Sequence, residues 1–366
     1  MTLNRRASLL FLVALALYIG ISFFLPTEGI SYGASLALSA FAVSIPAFLI
    51  PAVVFRRKNR FPLYHCPRFS HILICLALGV GCIFLNIALV NLQEAITFGV
   101  EINSTAVDVG EGLASASVPL MILTVAVIPA ICEEFIMRGA LLETWRRTSF
   151  IGAALLTSLL FGLLHASPSN ILVYFAMGML FAVVYNITRN VWTTVIIHFV
   201  NNMMSVVMLA VYGAGDEAAE AAEEIGEITR GTYVSEFISF IFIAAIIIIP
   251  MITLLKNSCR SRSIGMYADK LSQDSAEALP KGAFDNDESS ADAQPLVAVD
   301  EERRDILGRP VSELLQAEAD APQVQEPQKK ESLLADPLLW VALIFLIGLN
   351  VLAGLIEFGV IDVALE

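Results

Sequence analysis

Ile128-Pro-Ala-Ile-Cys-Glu133-Glu134-Phe-Ile-Met-Arg138-Gly-Ala-Leu-Leu-Glu143 places three charges inside the apolar run Val118 to Leu142. A charged side chain at bilayer depth costs about 2.5–3.5 kcal/mol on insertion scales, so it is paired or it is used. Glu134 and Arg138 stand four residues apart with the acid on the amino-terminal side, the better orientation for a helical pair, and can neutralise one another. Glu133 lies about 100° further round the helix and cannot share that pairing on equal terms. One carboxylate is therefore left over. Pro129, four residues before Glu133, lacks an amide donor and crowds the preceding turn, which predicts a kink there.

The rest of the chain supplies the membrane context for these charges. Hydrophobic residues make up 57% and charged residues 16% of the 366 positions, and mean hydropathy is +0.74, which excludes an ordinary water-soluble fold. Nine apolar runs are read as spans: Ser8 to Leu25, Ser31 to Phe55, His71 to Leu92, Val118 to Leu142, Phe150 to His165, Ile171 to Asn186, Val191 to Val211, Val234 to Leu255, and Pro337 to Val360. An all-α polytopic transmembrane helix bundle follows. The first run is too long for a signal-peptide core and is read as a retained helix.

Positive charge collects at Arg5 and Arg6, at Arg56, Arg57, Lys58, Arg60 and Arg68, at Arg146 and Arg147, at Arg189, and at Lys256, Arg260 and Arg262. All of these share one side if the amino terminus is cytoplasmic. The intervening loops are acidic, with Glu94, Glu101, Asp108 and Glu111 in one and a cluster from Asp216 to Glu227 in another. Residues 257–336 hold 17 acidic and 9 basic residues and read as a disordered cytoplasmic linker tethering a ninth helix. The domain plan is thus a core over 1–256, a linker over 257–336 and an added helix within 337–366. The cysteines show no C-x-x-C pair, and His65 and His71 read as interfacial. Cys132 is most simply a small buried residue.

Two other spans carry polar groups. The fifth ends Phe161-Gly-Leu-Leu-His165, a weak signal alone; the seventh contains His198-Phe-Val-Asn201-Asn202, where His198 and Asn202 fall on one face and can converge on one ligand, water or metal. Interhelical hydrogen bonding is the ordinary alternative for any one of these residues.

The ordered set Glu133-Glu134-x-x-x-Arg138, Phe161-x-x-x-His165 and His198-x-x-x-Asn202 resembles the CPBP (Abi) family of intramembrane proteases, which includes the type II CAAX prenyl endopeptidases. The resemblance covers about Pro119 to Val211. It implies an eight-helix core, with the ninth helix as an appendage. It implies an intramembrane endopeptidase in which Glu133 and His165 activate water while His198 and Asn202 stabilise the oxyanion, and Glu134 and Arg138 form a structural ion pair. Alternatively Glu133, His165 and His198 hold zinc.

The implied partners are the lipid bilayer and a membrane-associated peptide or protein substrate, prenylated in the family's best-known case, with no nucleic acid. A bacterial plasma membrane is the expected location. A catalytically silent immunity or scaffold protein and a transporter stay as alternatives; the absence of an internal repeat counts against the transporter. One geometric expectation accompanies the site. His165 lies about 22 Å up the fifth helix, so bringing it to Glu133 is expected to need a kinked fourth helix, a tilted or low-starting fifth helix, and a cavity open to the cytoplasm.

Overall fold

The computed structural model describes residues 1–25, 29–59, 67–99, 116–212, 229–277 and 332–358. Among them are helices and no strand, so the chain is an all-α polytopic membrane bundle. We number the helices α1 (Leu3–Phe24), α2 (Gly33–Lys58), α3 (Phe69–Thr97), α4 (Val118–Trp145), α5 (Phe150–Leu164), α6 (Ile171–Thr188), α7 (Val191–Tyr212), α8 (Arg230–Glu277) and α9 (Pro337–Glu357). The acidic stretches 101–111 and 216–227, Cys66, His65 and linker residues 278–331 lie outside the described residues.

Eight of the nine are long and apolar enough to cross a membrane; α5 is the exception. Its 15 residues reach about 22 Å, short of a hydrocarbon core of about 30 Å. Ser149 starts it by accepting from the Gly152 amide. It stops because Ala166 turns to a positive φ of 47° and Pro168 follows two residues later. At the other extreme α8 continues to Glu277, twenty residues beyond the Asn257 at which a linker was expected. No proline interrupts it between Pro250 and Pro280.

One compact unit contains Met1–Arg262 and Ser332–Glu366, and a second contains Ser263–Glu331. Of the second, only residues 263–277 are described, and they are helical. Within the first, two apolar cores form. The larger joins α1, α2, α4, α5 and α9 with Ala182 and Tyr185 of α6 and Val191 of α7; the smaller joins Cys75, Leu78 and Cys82 of α3 to Met177 and Phe181 of α6, Ile197 of α7 and Leu255 of α8. Outside the cores α8 exposes Ile238, Phe242, Ile246 and Ile249 at helical spacing, a face suited to lipid.

The anticipated kink in α4 takes another form. The chain passes through Pro129 with helical dihedrals, flanked by π-helical stretches at Ile122–Val127 and Phe135–Leu142. Nor do α5 or its start need displacing. Glu133 is itself twelve residues above Trp145, about 18 Å, while His165 is about 22 Å above Phe150 across the same turn. The two residues stand at nearly one height, because the fourth helix continues beyond Glu133 almost as far as the fifth climbs back.

Alongside this, α5 and α6 approach closely. A Cβ added at Gly178 would lie 2.9 Å from both Cα and Cβ of Ser158, which leaves no room for a side chain. Gly178→Val should therefore cost about 1–3 kcal/mol by overpacking, read as a lower melting temperature in detergent, whereas Gly20→Ala, where nothing lies within 4 Å, should leave it nearly unchanged.

Candidate active site

Glu134 and Arg138 pair as their spacing requires. Arg138 Nη1 donates to Glu134 Oε1 at 2.8 Å, and both side chains are fully buried. The guanidinium does more than neutralise the acid. Nη2 donates to the Gly178 carbonyl of α6 at 3.0 Å, and the cation lies 4.8 Å from the Phe161 ring centroid and 5.1 Å from that of Phe181. These are cation–π distances. Arg138 of α4 thus binds α5 and α6 at the level of the site.

His198 of α7 completes the cluster. Its Nδ1 lies 3.1 Å from Glu134 Oε1, and since a carboxylate so paired can only accept, Nδ1 carries the proton. Nε2 is thereby turned toward Glu133, whose Oε2 is 3.9 Å away. The ring stacks on Phe181 at 5.2 Å. His165 is held by the same logic: Nδ1 donates to the Phe161 carbonyl at 2.7 Å, leaving Nε2 uncommitted, and the ring stacks on Tyr174 at 3.9 Å. Glu133 Oε2 is buried and has no hydrogen-bond partner among the described residues.

Glu133, His165, His198 and Asn202 all line one cavity of about 660 Å³. The sequence brings them together, but His198 and Asn202 do not converge on one atom. Asn202 Nδ2 donates to the Val125 carbonyl at 3.2 Å. That carbonyl lies four residues before Pro129, which has no amide to offer it, so Asn202 supplies a donor that the helix lacks. Three asparagines form a relay: Asn86 Nδ2 donates to Asn201 Oδ1 at 2.8 Å, Asn201 Nδ2 reaches Asn202 Oδ1 at 3.5 Å, and Asn202 passes on to Val125. Asn86 and Asn201 were missed by a reading that filtered spans for ionisable groups alone; their amides in apolar helices were the available signal.

The cavity does not extend toward the basic turns. From Glu133 it runs past Pro129 to Asn91 of α3, Asn170 before α6 and Met208 of α7. Those positions lie at the end of the bundle opposite Arg56–Lys58, Arg146–Arg147 and Arg189. An opening on the side of the basic turns, where the sequence reading placed the cytoplasm, is therefore not what the lining residues form. The reason is the short α5, whose early stop leaves space above His165 rather than below it.

Among the described residues no group of three or more His, Cys, Asp or Glu side chains is arranged to hold a metal ion. The donor chemistry nevertheless suits one. Each imidazole is anchored through Nδ1, by a carboxylate or a backbone carbonyl, which is how metal-binding histidines are commonly oriented. Charge bookkeeping separates the two glutamates experimentally. Arg138→Leu strands Glu134 and should cost about 3–5 kcal/mol, whereas Glu133→Gln, which breaks no hydrogen bond to Oε2, should shift stability by no more than about 0.5 kcal/mol; thermal unfolding in detergent reads both.

Residues 115–204 match the family described as Type II CAAX prenyl endopeptidase Rce1-like. The chain is 38% identical over 96 residues to the putative membrane peptidase YdiL of Bacillus subtilis (strain 168), a stretch covering 25% of this chain and 38% of that protein. It is 32% identical over 92 residues to the membrane-embedded CAAX protease MroQ of Staphylococcus aureus (strain USA300), covering 23% and 37%. The chain therefore spans less than two-fifths of the length of these curated relatives. No solved structure matches. The matched block holds all three motifs and the buried cluster they build, and it is through this block that the chain is similar to the CPBP/CAAX protease family.

Proposed function

We propose that this protein is an intramembrane endopeptidase that hydrolyses a peptide bond in a membrane-associated peptide or protein. The observation that carries the reading is the Glu133 carboxylate: buried, without a partner on Oε2, and 3.9 Å from His198 Nε2 in the wall of the cavity. A carboxylate held out of every structural pairing is the group that takes a proton from water. His165, through Nε2, accepts the second hydrogen of that water and fixes its orientation. His198 donates to the tetrahedral oxyanion when Nε2 is protonated, with Glu134 holding the opposite ring nitrogen. In the resting site Asn202 gives one amide hydrogen to Val125; its second would join that task once a substrate oxygen lies between it and His198.

Zinc is compatible with the same donors. Glu133, His165 and His198 would hold it, and a bound zinc supplies a water acidic enough to ionise near neutral pH. We favour the metal-free route, because asparagine is a poor zinc ligand and a good oxyanion donor. Metal analysis of active protein, with inhibition by a chelator, decides between the two.

The orientation proposed is a cytoplasmic amino terminus in a bacterial plasma membrane, on the strength of the basic turns. The cavity then faces the outer half of the bilayer, and substrate reaches it from that side. A single cysteine at Met208, in a background with the native cysteines replaced, should react with a membrane-impermeant maleimide added to intact cells, and one at Arg147 should react only after permeabilisation. Reversed labelling would invert the topology.

The activity itself is tested with purified protein in detergent, offered a panel of membrane segments and a prenylated C-a-a-X peptide. Glu133→Gln should lower kcat by about 10²–10⁴-fold, the range for loss of a general base, while preserving the fold. Cleavage at the wild-type rate by that variant would end the assignment.

A further inference from the structure

The ninth helix lies outside the block shared with the family, and its polar residues are few. Within Pro337–Glu357 they are Trp340, Asn350 and Glu357. Leu339, Leu343 and Leu346 are buried and continue at helical spacing into Asn350, Gly354 and Glu357, so one seam runs from an apolar lower part to two polar groups two turns apart. The lower part packs on α1 and α5. The polar part meets the chain where α5 stops.

That stop creates a need. A helix that ends at bilayer depth leaves its last carbonyls without intrahelical donors, and no water in the hydrocarbon supplies them. At α5 the Phe161 carbonyl is taken by the ring of His165. The Gly162 carbonyl is taken by the His165 amide at 3.2 Å. The Leu163 carbonyl receives the Ala166 amide at 3.2 Å and also Asn350 Nδ2 at 2.7 Å. Glu357 accepts from Ser169 twice, from the hydroxyl and from the amide at 3.4 Å. Between these two anchors Gly354 lies beside Pro168, close enough that an added Cβ would touch its ring at 3.5 Å.

We propose that α9 is a positioning element of the site, in which Asn350 and Glu357 clamp the break between α5 and α6 and so set the place of His165. This rests on the protease reading only for its catalytic consequence. The two points they hold, Leu163 and Ser169, lie within four residues of His165 along the chain, one on each side. Between them lies the left-handed Ala166 (φ 47°), an unfavourable conformation for a residue with a Cβ, held by what surrounds it. Neither Asn350 nor Glu357 lines the cavity, so both act through His165 and not on substrate.

The test uses the full-length protein in detergent, as Asn350→Leu, Glu357→Ala and Glu357→Gln, with three measurements. These are amide hydrogen exchange over residues 163–170, the rate of His165 modification by diethyl pyrocarbonate read by mass spectrometry, and kcat with KM for the peptide cleaved. Asn350→Leu and Glu357→Ala should each raise exchange in the segment about tenfold, consistent with loss of one buried hydrogen bond. They should raise His165 modification severalfold and lower kcat about tenfold, with KM within about twofold. Glu357→Gln keeps one acceptor oxygen, for the Ser169 hydroxyl, and loses the longer bond from the Ser169 amide, so it should fall between wild type and Glu357→Ala in all three measurements. Unchanged exchange and unchanged His165 reactivity in both disruptive variants overturn the clamp; altered exchange with unaltered kcat overturns its catalytic role. If the wild-type protein cleaves nothing while exchange and His165 reactivity respond as expected, the protease reading fails and the clamp stands.

Discussion

The buried guanidinium of Arg138 is the constraint that the rest of the site obeys. It is fully buried beside a fully buried carboxylate, an arrangement that is stable only if geometry and further hydrogen bonds offset the desolvation of both ions. Those further bonds are what assemble the site. The Gly178 carbonyl ties the pair to α6, the faces of Phe161 and Phe181 flank the cation, and His198 adds a donor to Glu134. Four helices meet because one ion pair has to be solvated by protein. Removing the arginine would leave Glu134 charged and stranded, and the orientation of His198 would go with it.

A second constraint belongs to the membrane rather than to the charges. Backbone groups freed at bilayer depth must find partners in the protein, and this chain frees them at two places. Pro129 deprives the Val125 carbonyl of its usual donor, and Asn202 supplies one. The end of α5 leaves its last carbonyls without intrahelical donors, and His165 covers two of them, one through its ring and one through its amide. Two residues singled out for chemistry therefore also repair the helices around them. A polar group that repairs the backbone through one atom is held rigidly enough to present another, which is the preorganisation that a catalytic site requires.

Much of this was legible in the sequence, and the failures have identifiable causes. The i, i+4 spacing of Glu134 and Arg138 gave their pairing directly, since helix geometry alone sets it. Glu133 followed as the group left over. Glu133 and His165 are not separated as the rise of α5 alone suggests, because α4 places Glu133 nearly as far above the shared turn as α5 places His165. Asn86 of α3 and Asn201 of α7 escaped because amides cost little enough in apolar helices to pass a filter built on charge. The role of Asn350 could not have been read at all, since it acts across 187 positions on a carbonyl whose need arises only where α5 ends.

The side on which the cavity lies follows from the same short helix. Had α5 spanned the full bilayer, its side chains would have filled the space between α3, α4 and α7 that now holds Asn170 and Tyr174 at the cavity wall. Stopping at His165 makes room and at the same time puts a polar ring at the bottom of it. The cost is an exposed helix end, which the protein meets with the side chain of His165 itself and with a helix supplied from far along the chain. A bundle built this way gains its cavity by interrupting one span, and the placement of that interruption, about 22 Å above the basic turn, determines both the depth of the polar cluster and the end of the bundle at which the cavity lies.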